Sequence, residues 1–221
     1  EISGVTTGYE NVAINSSLTD VDGGAYNNVA INSDMPSLDK SYYNVGINSD
    51  LSNLTTGVVN TAINARLPDL TSGTYNIAVG LRVLSSLTSG SANIALGGRN
   101  LDQITTGSNN IAMGIWALNN LSGASNDNLS LGQRSGSQLT TGNDNVFLGN
   151  RAGYNSTSGS GNILIGYRAD ASSPTASDEL NIGDVITGDL SSGDITVTGD
   201  MTAASYLTSS DRRLKSEIKD I

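Results

Sequence analysis

The chain has 221 residues, 26 of them glycine, with 5% aromatic and 14% charged residues and a formal net charge of −10 at pH 7. It contains no cysteine, which excludes disulfides and thiolate metal sites, and no histidine, which excludes a Ser-His-Asp triad and removes the commonest metal ligand. The acidic balance argues against a nucleic-acid partner, and no apolar run approaches the roughly 18 residues of a membrane span.

The first ten residues, EISGVTTGYE, lack the basic start and apolar middle of a signal peptide, so the chain reads as a segment of something longer. A repeat then begins. NVAIN at Asn11 returns from Asn28, as NVGIN from Asn44 and as NTAIN from Asn60. It continues as NIAVG from Asn76, NIALG from Asn93, NIAMG from Asn110, NLSLG from Asn128, NVFLG from Asn145 and NILIG from Asn162, closing as ELNIG from Glu179. The copies are 16 to 18 residues apart, and Thr-Thr-Gly or Thr-Ser-Gly recurs between them at Thr6, Thr55, Thr71, Thr88, Thr105, Thr140 and Thr157. Such a period marks a solenoid.

With the anchor Asn counted as zero, positions +1 and +3 are mostly Val, Ile, Leu or Met. This alternation predicts a short strand whose +1/+3 face turns to the core. The opposite face would carry the anchor Asn, a small residue at +2 and the Asn or Gly at +4, a position suited to positive φ. Two leucine-rich columns follow. Leu18, Met35, Leu51, Leu67, Leu84, Leu101 and Leu118 form one; Leu38, Leu54, Leu70, Leu87, Ile104, Leu121 and Leu139 form the other. Their three-residue spacing suggests one helical turn, after which Thr-Thr-Gly turns the chain back. One unit buries too little to stand alone, so the units stack. The dozen residues between strands match a parallel crossover, and stacked Asn residues can form a hydrogen-bonded ladder. The fold expected is all-β, a parallel β-solenoid of about eleven 16–18-residue repeats over residues 1–183, a rod roughly 50 Å long at about 4.8 Å per rung.

Position +2 stays small from Ala13 to Ser130, which reads as close approach of a second chain, and its enlargement at Phe147 and Leu164 reads as a widening interface. An arginine column runs along position +6: Arg66, Arg82, Arg99, then Trp116, then Arg134, Arg151 and Arg168. Stacked like charges repel, so they need backbone carbonyls, carboxylates of a neighbouring chain or an anionic receptor beside them. On the last reading Arg82, Arg99, Trp116, Arg134 and Arg151 are candidate binding residues for a surface polysaccharide. Tyr9, Tyr26, Tyr42, Tyr43 and Tyr75 gather near the first rungs, either as a sugar platform or as same-face stacking. Scattered acids such as Asp20, Asp22, Asp34 and Asp50 match no calcium-binding phrase, so neither a metal nor a cofactor is expected.

After Gly183 the period breaks. GDVITGDLSSGDITVTGDM alternates β-branched residues with Gly-Asp turns, predicting a β-structured neck over 184–210. The last residues, SSDRRLKSEIKDI, hold four of the eleven basic residues. Read alone they make a capped helix start, with Ser210 or Asp211 as N-cap.

The phrase TTGSNNIAMGIWALNNL (Thr105 to Leu121) resembles phage tail-fibre repeats and, more distantly, the β-roll heads of trimeric autotransporter adhesins. Gly183 to Ile221 resembles the junction of phage tail fibres and tailspikes that leads into a C-terminal, self-cleaving intramolecular chaperone of the endosialidase type. The resemblance implies a homotrimer of identical chains, a virion tail fibre located outside the cell, and 211–221 as the opening of that chaperone. It also implies self-cleavage between Ser210 and Asp211, assisted by Lys215. A hydroxyl beside its own peptide carbonyl needs a base, and a desolvated lysine can serve. The expected function is a structural and receptor-binding fibre segment of a phage or phage-like injection particle, not an enzyme beyond that cleavage. The alternatives are a bacterial trimeric adhesin and a polysaccharide-degrading tailspike.

Overall fold

The computed structural model describes residues 10–18, 24–36 and 38–199. These form an all-β parallel β-solenoid of about ten turns, with no helix among them. The first eleven strands are β1 (Val12–Ile14), β2 (Val29–Ile31), β3 (Val45–Ile47), β4 (Thr61–Ile63), β5 (Ile77–Val79), β6 (Ile94–Gly98), β7 (Ile111–Ile115), β8 (Leu129–Leu131), β9 (Val146–Leu148), β10 (Ile163–Ile165) and β11 (Glu179–Ile182). They stack in chain order and in parallel, with equivalent positions directly over one another, as in Ile94↔Ile111 and Ala95↔Ala112. The predicted repeat and its register are the observed ones.

Left-handed residues bracket each strand and keep it short. The residue before the anchor has φ between 57° and 70°, whether it is Asn27, Val59, Asp144 or Gly161. Position +4 has the expected positive φ in two forms. Asn15, Asn32, Asn48 and Asn64 lie at 49–51°, whereas Gly80, Gly97, Gly114, Gly132, Gly149 and Gly166 lie at 121–137°, a region closed to side chains. A Cβ on Gly114 would also sit 2.6 Å from the Gly132 carbonyl oxygen of the next rung.

The anchor asparagines from Asn28 to Asn162 are buried, and with the half-buried Asn11 they form a continuous ladder. In the middle of the stack, Asn93 Oδ1 accepts from both the backbone N–H and Nδ2 of Asn110, each at 3.1 Å. Asn110 Nδ2 also donates to the Ser125 carbonyl at 2.9 Å. Each amide thus has donors and acceptors matched inside the core, which is what permits a polar column there. A second ladder runs along the threonines, where Thr71, Thr88 and Thr140 Oγ1 donate to the threonine carbonyl one rung on.

One expectation is overturned: the strand faces are the other way round. The +2 residues Ala30, Ala62, Ala78, Ala95 and Ala112 are fully buried in the chain's own core with both leucine columns. Positions +1 and +3 point outward, with Ile14 51% and Ile77 37% exposed. Smallness at +2 therefore reflects a narrow interior already filled by two leucines per rung, not a second chain. The enlargement at Phe147 and Leu164 follows from the same limit. The residue eight after the anchor is Leu84, Leu101 and Leu118 in rungs five to seven but Gly136 and Gly153 in rungs eight and nine. Cβ atoms on Gly136 and Gly153 would each lie 2.5 Å from the Phe147 ring, which occupies the missing leucines' place.

The leucine pairs also span something shorter than a helical turn. One hydrogen bond closes several of them, as from Leu87 N–H to the Leu84 carbonyl at 3.1 Å and from Leu121 N–H to the Leu118 carbonyl at 3.2 Å. After β11 the sheet continues antiparallel through β12 (Ile186–Asp189) and β13 (Asp194–Val197), a hairpin within the segment read as the neck.

Candidate functional site

The +6 side chains leave the solenoid at the corner after each strand. In rungs five to ten that residue is itself left-handed, with φ of 56–61° at Arg82, Arg99, Trp116, Arg134, Arg151 and Arg168. Every arginine among the described residues belongs to this one column. Its members do not share one environment. Arg66 pairs with Asp50 at 3.2 Å and Arg82 with Asp102 at 3.1 Å, so two guanidinia are neutralised by acids of an adjacent rung in the same chain. Burial pushes the Asp50 carboxyl up, but hydrogen bonds from Ser52 and the Arg66 guanidinium outweigh it and hold it below the ordinary value.

Further along, aromatic faces replace carboxylates. The Arg134 guanidinium lies over the Trp116 ring, 4.8 Å from its centre. Arg151 lies over Tyr154 at 5.6 Å and Arg168 over Tyr167 at 5.4 Å. A cleft of about 250 Å³ opens here between Trp116, Asn119, Asn120, Arg134, Gln138 and Tyr154. Asn119 Oδ1, on its wall, is a buried acceptor with no hydrogen-bond partner. A second cleft of about 270 Å³ adjoins it, lined by Arg151, Tyr154, Asn155, Arg168 and Asp170. Asp170 accepts from Asn155 N–H at 3.0 Å and from Asn155 Nδ2 at 2.9 Å. Burial, with Asp184 nearby, nonetheless raises its carboxyl above the ordinary value.

The structure therefore gathers Trp116, Arg134 and Arg151 into one surface, holds Arg82 apart in an ion pair, and sets Arg99 on an apolar cleft with Leu81, Gly98 and Ile115 that meets that surface at Trp116. Asn119, Gln138 and Tyr154 escape a repeat-based reading because they fall where the copies differ. Tyr26 and Tyr42 stack at 4.9 Å with ring planes 2° apart, and Tyr43 meets both edge-on, the same-face arrangement. Ser210, Asp211 and Lys215 lie outside the described residues. Among the described residues no group of three or more acidic side chains is placed to hold a metal.

The other prominent surface is the outward strand face. Ile77, Met113 and Leu148, exposed by 36–40%, line up along the rod beside the more exposed Leu81, Ile115 and Tyr167 at +5. No protein-family model, curated protein or solved structure matches the chain.

Proposed function

We propose that this chain is the structural rod of a homotrimeric fibre of the phage tail-fibre kind, and that the outward +1/+3 strand face is where its chains meet. The observation that carries the reading is that face itself: a mostly aliphatic strip of half-buried to exposed side chains along the parallel sheet, left open by the described residues. Continuous apolar strips of this sort mark association surfaces. Head-to-head registry of identical strips requires closed symmetry, and the resemblance to phage fibres supplies the number three. Regular turns favour a spacer over an enzyme, because the stack runs from β1 to β11 without an inserted domain.

Analytical ultracentrifugation of the chain and of an Ile77→Glu, Met113→Glu variant tests this. Three chain masses for the parent and one for the variant, with unchanged β-sheet circular dichroism, are expected. A monomeric parent overturns the association. A variant that stays trimeric moves the contact to another face. The maturation part of the reading has its own test, intact mass after expression of the full-length gene product, beside Ser210→Ala. Loss of the downstream part from the parent alone is the expected result, and its retention in both removes self-cleavage from the proposal.

A further inference from the structure

We propose that the arginine–aromatic row from Trp116 to Arg168 binds a linear acidic polysaccharide lying along the rod; this rests on the fibre reading and names the ligand class of its candidate site. Arg134 and Arg151 occupy successive rungs, Arg168 the next, so their backbones climb in steps of about 4.8 Å. No ion pair neutralises these three among the described residues, although Arg66 and Arg82 of the same column are both paired. Each instead rests on an aromatic ring. A ring contact of this kind leaves guanidinium N–H donors unspent, and the three side chains are half-buried to exposed, so an anion can reach them.

Row and period together select the ligand. Three unpaired cations at regular spacing attract an anion whose charges recur along its length, while the net charge of −10 repels it from the rest of the chain and so confines it to the row. The clefts between the arginines supply what saccharide hydroxyls bond: the Asn120 and Gln138 amides in the first, and in the second the Asn155 amide oxygen and the Asp170 carboxylate that Asn155 Nδ2 already holds. Nucleic acid fits less well, since its bases would need open aromatic faces and here guanidinium groups lie over the rings. Carboxylates and phosphates share the chemistry that the row recognises; uronate and sialate polymers represent the first source and a phosphodiester-linked teichoic acid the second.

The experiment is calorimetric titration of the full chain with polygalacturonate, polysialate, a glycerol-phosphate teichoic acid and neutral dextran, each at low and at physiological salt. At least one acidic polymer should bind, more weakly as salt rises, and dextran should not. Arg134→Gln with Arg151→Gln should weaken that binding by about tenfold or more. Arg66→Gln, whose guanidinium is already paired, should change it little. Thermal denaturation and sedimentation of the double variant should match the parent, because these side chains contribute little to the core. Failure of all the acidic polymers to bind overturns the proposal, as does binding that the double variant leaves intact. A double variant that loses its oligomeric state also overturns it, by placing the row in a contact between chains. The trimer reading is judged separately by the Ile77→Glu, Met113→Glu variant.

Discussion

Val59 carries a side chain its backbone opposes. It sits before the anchor with φ of 57°, the one β-branched residue at a position held by Asn27, Asn109, Asp127, Asp144, Asp178 and Gly161 and also by Glu10, Tyr43, Tyr75 and Ala92. A β-branched residue there is strained, whereas Asn tolerates the left-handed region, and relief of one such residue is worth about 1 kcal/mol. Val59→Asn should therefore raise stability by about that amount in denaturant unfolding; a loss would mean that Val59 packing outweighs the strain. Asp50 makes a pH-dependent counterpart. Its folded pKa is lowered, so its contribution is present above the unfolded carboxylate value, about 3.9, and is lost as pH falls through the folded value. The Tm difference between the parent and Asp50→Asn should then be largest near neutrality and close on acidification. A constant difference would show that Asp50 acts through shape alone.

Within a rung, volume is conserved rather than sequence. Phe147 at +2 fills what Leu84, Leu101 and Leu118 fill elsewhere, and the glycines at 136 and 153 make room for it. Phe147→Ala should cost about 3–5 kcal/mol, the range for emptying a buried aromatic site. Gly136→Leu alone should also destabilise, since its Cβ would meet the ring at 2.5 Å, although φ of 57° is close to the 47° at which Leu118 already sits. Combined, the two changes give rung eight the leucine of rung seven while leaving Gly153 without a partner, and the double variant should be more stable than the sum of the singles predicts. Additive losses in urea unfolding would refute the exchange. This trade explains why the faces could not be read from hydrophobicity. The rule that apolar side chains point inward assigns Val12 and Ile14 to the core and Asn28 to solvent. The observed ladder satisfies Asn28 completely, and two leucines per rung leave space only for alanine beside it. Strand positions, register and turns were legible because they rest on period and on residues that tolerate positive φ. The inward face was not, because it depends on how much volume the interior has left.

Along the whole rod, the same logic makes stability local. Each rung touches only its neighbours, through strand pairing, the asparagine ladder and stacked leucines, so the energy is close to a sum over repeats and interfaces. The candidate binding row shows the opposite dependence on sequence. Its arginines were legible as a column, but their differing fates were not, because the partners stand at two repeat positions whose residue type changes from copy to copy: Asp50 and Trp116 at +6 itself, Asp102 and Tyr154 at +9. A deletion separates these two levels. Removing residues 94–110 joins Asn93 directly to Ile111, taking out one full period while keeping ladder, core columns and Thr-Ser-Gly turn in phase. The product should keep its β-sheet circular dichroism, unfold cooperatively with only a modest fall in Tm, and measure one rung shorter, about 4.8 Å. Its row from Trp116 to Arg168 would be intact, so acidic-polymer binding should survive. Removing half a period instead, residues 94–101, sets Asn93 before Asp102 and breaks the asparagine and leucine columns at that junction, leaving the rungs on either side without a matched neighbour. That variant should lose its cooperative transition. Equal tolerance of the two deletions would mean that the stack is not held by registered ladders at all.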